Sequence, residues 1–247
     1  MKAAVRLYFI FPLLITMLFS CEDGPPGVPG PERITGDAEG RVTLFDEFGE
    51  MELSPEGVSV KATGSDHEVT SITGSDGEYL LTEMKTGHYY MEYTKEGFGK
   101  AAFSRAFLGG ERPEAIEEVK LFQMSTTLVE EIHVSVESGS MIFDGTISPA
   151  SSDEYPRMVV IYFYRNDSVS NRIYDVMDVV YWRNVDSIQF HHEVSVGYLD
   201  LSGGTTYMVA YGLSGLRWVS NYYYDEQHVR IYNVDPAGSK RTSVIIP

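Results

Sequence analysis

The sequence has little cysteine: Cys21 is the only one among 247 residues. Such a chain forms no intramolecular disulfide and, beyond residue 21, no thiolate metal site. Its folded part must therefore be stabilised by a packed core. The 43% of hydrophobic residues and the 17 tyrosines supply side chains for that core.

Positive charge is also scarce. Lys and Arg total 19 against 36 Asp and Glu, which gives a formal net charge of −17. Removing residues 1–20, which contain Lys2 and Arg6 and no acidic residue, changes the balance to 17 − 36 = −19. So acidic a surface disfavours nucleic acids and anionic lipid headgroups as partners, and it keeps an exported protein soluble.

The apolar run at the N-terminus is too short to cross a membrane. It extends from Leu7 to Phe19, is interrupted only by Thr16, and follows the two basic residues. As a helix it would reach about 20 Å, less than the ~30 Å hydrocarbon layer. The pattern predicts a secretory signal over residues 1–20 and therefore an exported protein.

Motifs of common catalytic and metal sites are missing. The sequence has no Gly-x-Ser-x-Gly elbow, phosphate-binding loop or His-Glu-x-x-His pair, and no histidine is followed by glutamate three residues later. The adjacent His191 and His192 would point to opposite faces of a strand, which argues against a shared metal site. The sequence predicts no catalytic residue, no metal site and no cofactor. Carboxylates that are brought together by folding leave no spacing signature, so a glycan-processing enzyme remains an alternative.

The single cysteine follows the signal directly. Leu18-Phe19-Ser20-Cys21 resembles the lipobox of bacterial lipoproteins, and this resemblance implies that Cys21 is lipidated and becomes the mature N-terminus. Several acyl chains would anchor the protein stably. The alternatives are a chance cysteine near an ordinary cleavage site and a stray unpaired thiol.

Residues 21–39 read as a lipid-anchored tether. They are rich in Gly and Pro, and the three Gly-X-Y triplets at 24–32 are too few for a collagen helix. An extended spacer of this kind would hold the folded part roughly 25 to 30 Å from the lipid. Glu22 and Asp23 resemble the surface-export signal of Bacteroidota lipoproteins, which implies an outer-membrane protein facing the cell surface; a periplasmic orientation stays open.

From residue 40 onward, short alternating segments separated by turns predict an all-β fold. The first group forms a domain over residues 40–123. Its predicted strands are residues 41–45, 57–63, 78–82, 88–94 and 119–122.

Four motifs in this domain resemble the carboxypeptidase regulatory-like family. They are Gly57-Val58-Ser59-Val60, Asp76-Gly77-Glu78-Tyr79, Thr86-Gly87-His88-Tyr89 and Lys95-Glu96-Gly97-Phe98. The resemblance implies a transthyretin-like (prealbumin-like) β-sandwich, usually non-catalytic and found on exported and cell-surface proteins. Asp76-Gly77 could suggest a calcium loop, but the other oxygen ligands are missing, so a turn is favoured.

Residues 124–247 are expected to form a second, immunoglobulin-like sandwich. Residues 201–214 resemble the F strand of fibronectin type III domains, which would place Tyr207 as their corner tyrosine. The predicted strands are residues 128–136, 141–147, 157–165, 187–195, 206–213, 228–233 and 241–246.

Two aromatic features stand out in this second domain. Residues 159–164 are apolar on both faces, and the long connection 166–186 contains Trp182. A second cluster joins Trp218 to three consecutive tyrosines, Tyr222, Tyr223 and Tyr224. These five aromatic residues are a candidate surface for a ligand or partner. Alternatively, the long connection folds back as an extra edge strand that covers the second apolar face.

Two tripeptides resemble the O-glycosylation motif of Bacteroidota. They are Asp167-Ser168-Val169 and Asp186-Ser187-Ile188, so Ser168 and Ser187 are candidate modification sites.

The expected function is that of a non-enzymatic surface lipoprotein which binds a glycan or an outer-membrane protein. By analogy with the proteins that such lipoproteins accompany, it would be an accessory subunit of a TonB-dependent nutrient-uptake system. The alternative is a pilus or adhesin subunit with an exchangeable strand at residues 241–247.

Overall fold

The computed structural model describes residues 34–50, 52–181, 187–201, 203–214, 222–226 and 230–247. The predictions for the signal, Cys21, Trp182 and Trp218 lie outside these ranges. Within them, no helix is long and apolar enough to span a membrane. The described chain is all-β, as predicted, and forms two β-sandwiches that we call lobe 1 (β1–β9) and lobe 2 (β10–β18).

Lobe 1 contains nine strands in two sheets. They are β1 (Thr35–Phe45), β2 (Glu52–Leu53), β3 (Ser59–Thr63), β4 (Glu68–Ile72), β5 (Glu78–Lys85), β6 (Gly87–Thr94), β7 (Ala101–Phe107), β8 (Glu114–Ala115) and β9 (Val119–Phe122). One sheet has the order β2-β1-β5, with β8 and β9 parallel to β1; the other has the order β4-β3-β6-β7. Alternation buries one face of each strand: Tyr89, Met91 and Tyr93 of β6 all point into the core between the sheets.

The first strand begins earlier than the sequence predicts. The composition of residues 35–39 predicts part of the tether, but these residues belong to β1, where Thr35 pairs with Lys85. The glycines that made this stretch look like a linker serve close packing. A Cβ on Gly36 would lie 2.8 Å from the Gly110 backbone, and one on Gly40 would collide with the Tyr79 ring. Strand β7 is a further correction, because the sequence predicts no strand between residues 94 and 119.

Lobe 2 also has two main sheets, β10-β11-β14 and β13-β12-β15-β18, and a separate hairpin β16-β17. Its strands are β10 (Leu128–Glu137), β11 (Ser140–Ser151), β12 (Arg157–Tyr164), β13 (Val176–Tyr181), β14 (Ser187–Ser195), β15 (Gly204–Ser214), β16 (Tyr222–Tyr224), β17 (Arg230–Tyr232) and β18 (Lys240–Ile246), and a short 3₁₀ turn spans Pro236–Gly238.

Both faces of β12 are buried, and the two faces belong to different cores. Val159, Ile161 and Phe163 fill the space between the sheets. On the outer face, Val160 and Tyr162 pack under the connection that follows β12, with the Tyr174 ring 4.9 Å from the Tyr162 ring. Strand β13 pairs with β12 as an added edge strand. The long connection therefore covers the second apolar face, as the second alternative predicted.

A buried polar network joins the two lobes at one end of β12. Glu47, in the loop after β1, accepts hydrogen bonds from Thr126 N at 2.7 Å and from Ser214 Oγ at 2.5 Å. Arg157 is 7% exposed, donates to Thr127 Oγ1 at 2.8 Å, and lies 3.9 Å from the Glu47 carboxylate. Burial lowers the pKa of the Arg157 guanidinium, and the charge of Glu47 opposes that shift.

Candidate ligand surface at the lobe junction

The hairpin β16-β17 separates the three consecutive tyrosines onto two sides. Its strands are antiparallel, with Tyr223 opposite Ile231 and Tyr224 opposite Arg230. Since successive strand residues point to opposite faces, Tyr223 lies on one side and Tyr222 and Tyr224 lie on the other.

The Tyr223 side packs against lobe 1. Tyr223 and Ile231 bury their side chains on Ala102 of β7, next to Tyr90. Tyr223 is 6% exposed, and its hydroxyl accepts a hydrogen bond from Arg172 Nη2 at 2.6 Å. Tyr223 was expected to contribute to a ligand surface; its ring instead fills the contact between the lobes and is not open to a ligand.

Hydrogen bonds and a cation–π contact fix the hairpin against lobe 1. The Asn233 side chain exchanges two hydrogen bonds with the Lys100 backbone, donating to its O at 2.8 Å and accepting from its N at 2.9 Å. The Lys100 ammonium lies 5.0 Å from the centroid of the Tyr223 ring and forms an ion pair with Glu92.

Tyr90 adds a hydrogen bond from the centre of β6. Its hydroxyl donates to the Tyr224 carbonyl at 2.7 Å. Burial raises the pKa of Tyr90 to about 12, and nearby carboxylates add to the shift. The phenol therefore stays protonated, as a donor must, at neutral pH.

On the other side of the hairpin, Tyr232, Tyr222 and Tyr224 form a row of rings, which we call the tyrosine row. The Tyr222 ring lies 5.7 Å from that of Tyr232 and 5.5 Å from that of Tyr224, both edge-on. Tyr232 is buried, Tyr222 is half-buried and Tyr224 is 38% exposed. The Tyr224 ring, at the outer end of the row, is therefore exposed to solvent and packs edge-on against Tyr222. Asp225 and Glu226 follow it in the sequence. A ring held this way offers an apolar face and a hydroxyl to a ligand.

The other predicted positions lie apart from this surface. Ser168 is exposed in the turn after β12, and its hydroxyl donates to Asn166 Oδ1 at 2.5 Å. Ser187 begins β14, but its side chain lies outside the described residues. O-glycosylation at both positions stays a prediction.

The two adjacent histidines have separate partners. His191 Nδ1 lies 2.7 Å from Asp144 on the neighbouring strand, and His192 Nε2 lies 2.7 Å from Asp178 of the other sheet. The pair therefore points to opposite faces of β14. In the part of the chain that the structure describes, no three His, Cys, Asp or Glu side chains are grouped to hold a metal.

Sequence reasoning found Tyr222, Tyr223 and Tyr224 but missed the residues that hold them. Tyr90, Lys100 and Asn233 carry no motif, and Asn233 is 133 positions from Lys100 in the chain. No local signal could have linked them.

No protein-family model matches this sequence, and no curated protein matches it. Among solved structures, a candidate carbohydrate-binding protein from Bacteroides uniformis aligns over 85% of this chain and 100% of its own, at 10% identity and a TM-score of 0.33. A DUF3823 family protein from Bacteroides ovatus aligns over 87% and 99%, at 10% identity and a TM-score of 0.31. BcpA, the major pilin subunit of Bacillus cereus, aligns over 85% and 68%, at 15% identity and a TM-score of 0.32. At such scores these likenesses carry no argument about function.

Proposed function

We propose that this chain is a non-enzymatic lipoprotein of the bacterial surface that binds a glycan through the tyrosine row. The observation that carries the proposal is the exposed Tyr224 ring, supported edge-on by Tyr222 and fixed at its carbonyl by Tyr90. A preorganised ring loses little conformational freedom when a ligand stacks on it, so more of the contact energy appears as affinity. Trp218 lies four residues before Tyr222 in the sequence and is included in the proposed surface.

A panel of neutral oligosaccharides tests the binding. Replacing Tyr224 with alanine is expected to weaken the best ligand by about three- to tenfold in titration calorimetry, the range of one aromatic contact. Tyr198→Ala is the matched control, because Tyr198 is 78% exposed and lies in the turn after β14. Equal affinities of the two variants would refute the tyrosine row as the ligand surface. Release of shortened sugars from any panel member would refute the non-enzymatic assignment.

The anchor is proposed at Cys21, with residues 22–33 as the spacer that precedes β1. Cys21→Ala is expected to move the protein from the membrane fraction to the soluble fraction, while its unfolding midpoint stays that of the wild type. Continued sedimentation with membranes would show that another segment anchors the chain. Accessibility of the anchored protein to an added protease on intact cells tests the surface orientation.

The proposal also includes a partner protein. A neighbouring transporter of the TonB-dependent class is the proposed recipient of the glycan, and co-purification from solubilised membranes tests it.

The second candidate function is a pilus or adhesin subunit. Strand β18 favours it, because within the described residues β18 pairs only with β15 and so forms a sheet edge.

A further inference from the structure

A groove of 740 Å³ lies on lobe 1, and none of its lining residues belongs to the tyrosine row. Its lining comes from four sources: the end of β4 (Ser71, Ile72), Asp76 in the turn before β5, residues of β5 and β1, and the segment 115–118. Its size falls within the usual range for ligand sites.

Apolar side chains are exposed in this groove. Ile72 is 70% exposed and Leu80 is 45% exposed. Both belong to strands at sheet edges, since within the described chain β4 pairs only with β3, and β5 pairs only with β1. Exposed apolar residues that line one groove beside open strand edges offer surface that a partner segment can cover.

Negative charge surrounds these apolar residues. Four carboxylates line the groove against a single Arg41: Glu39, Asp76, Glu78 and Glu118. Two of them are held in place locally, since Glu118 accepts a hydrogen bond from Thr43 Oγ1 and Asp76 accepts one from Glu78 N at 3.1 Å. A positively charged occupant would complement these carboxylates, whereas an acidic segment would be repelled by them.

We propose that this groove binds an extended segment of a partner protein in which Lys or Arg alternates with aliphatic residues. In such a segment the aliphatic side chains point to one face, toward Leu80 and Ile72. The long basic side chains can lie along apolar surface while their charged ends reach the carboxylates at the rim. The site is independent of the tyrosine row, so the protein carries a ligand surface and a partner surface on different parts of the fold.

The test uses the detergent-solubilised full chain and a fluorescein-labelled hexapeptide of alternating Lys and Val. Fluorescence anisotropy is expected to show saturable binding that weakens as salt is raised. The same peptide with Glu in place of Lys is expected not to bind. Failure of the Lys-Val peptide to bind at about 1 mM, or equal binding of the Glu-Val peptide, would overturn the proposal.

Two matched pairs of variants separate the groove from general attraction to an acidic protein. The double variant E39Q/E78Q is expected to lose about fivefold in affinity, whereas E130Q/E193Q, which removes two exposed carboxylates of lobe 2, is expected to lose less than about twofold. Leu80→Ser is expected to lose about fivefold, and Leu108→Ser, at a leucine 70% exposed elsewhere on lobe 1, is expected to lose none. All four variants change exposed residues only. Unfolding midpoints equal to that of the wild type would verify that each variant is folded.

Two results would overturn the groove assignment. Equal losses in the two charge pairs would mean that net charge alone attracts the peptide. Unchanged peptide affinity in Leu80→Ser would mean that the bound peptide does not contact the exposed apolar side chains of the groove. Neither result bears on glycan binding at Tyr224, so failure here leaves the proposed function standing.

Discussion

Two buried tyrosine environments differ in how their hydroxyls are satisfied. The Tyr79 and Tyr93 hydroxyls lie 2.8 Å apart inside lobe 1 and share a hydrogen bond. The Tyr162 hydroxyl, fully buried under the connection of lobe 2, finds no hydrogen-bond partner among the described residues. A buried hydroxyl without a partner costs free energy that a phenylalanine at the same position would not.

Tyr162→Phe is therefore expected to raise the free energy of unfolding by about 1 kcal/mol, or leave it unchanged. Tyr93→Phe is the matched comparison and is expected to lower it by about 1 to 3 kcal/mol, because the Tyr79 hydroxyl would remain buried alone. Urea unfolding measures both. A loss in Tyr162→Phe as large as that in Tyr93→Phe would contradict this account.

The same tyrosines make stability depend on alkaline pH. Burial raises the pKa of Tyr79, Tyr93, Tyr162 and Tyr211 above its ordinary value, and raises that of Tyr90 to about 12. In the unfolded chain a tyrosine ionises near pH 10, so above that pH the unfolded state holds fewer protons than the folded state. The stabilisation is complete below about pH 10 and is lost as the pH rises toward the folded-state pKa values.

Urea midpoints measured from about pH 8 to about pH 11 are expected to fall steeply only above about pH 10. Tyrosinate absorbance should rise together with unfolding. Tyr90→Phe should make the fall of the urea midpoint with pH slightly less steep, since it removes one of the tyrosines whose ionisation is coupled to unfolding. A midpoint that stays constant across this interval would contradict the raised pKa values.

Among the elements, β18 distinguishes the two candidate functions. It pairs with β15 from Lys240 opposite Ala210 to Ile246 opposite Gly204, and Ile246 is buried in the lobe 2 core. Removing it would leave β15 without that partner and open the core at one side.

Deletion of residues 241–247 is therefore expected to unfold lobe 2, measured as loss of the cooperative transition and of soluble protein. Deletion of Pro247 alone is the control, and it should retain wild-type stability because Pro247 follows the strand. A folded protein lacking residues 241–247 would favour the pilus or adhesin alternative, in which the strand is exchangeable.

In the described part of the chain, two junctions hold the lobes together. The network around Glu47 and Arg157 forms one, and the hairpin β16-β17 with Asn233 forms the other. The two junctions lie on different segments of the chain and share no residues, so each can be tested separately.

Asn233→Ala is expected to lower the free energy of unfolding by about 1 to 2 kcal/mol, since two hydrogen bonds to the Lys100 backbone are lost. Combining it with Glu47→Gln, which leaves the Arg157 guanidinium buried without its counter-charge, should split calorimetric unfolding into two transitions. Glu130→Gln, at an exposed position on lobe 2, is the control and should change neither quantity. A single transition in the double variant would show that the lobes are held together by contacts other than these.

The proposed glycan binding is expected to depend on the junction as well. Tyr224 owes its position to Tyr90 of lobe 1, so a lobe separation caused by Asn233→Ala and Glu47→Gln should also weaken the ligand. The tyrosine row is thus a property of the assembled molecule, although all of its rings come from lobe 2.

The sequence by itself located most of the strands, because the side-chain period of two is a local property of the extended backbone. It located β9 and β14 at their observed limits.

Only the tertiary structure decided which tyrosine is buried, what covers Val160 and Tyr162, and that a glycine-rich stretch is the start of β1. The reason is physical. The contacts responsible join residues far apart in the chain, such as Tyr90 with Tyr224 and Lys100 with Asn233. Which of these surfaces meet depends on how the lobes pack, and no pattern within one strand records it.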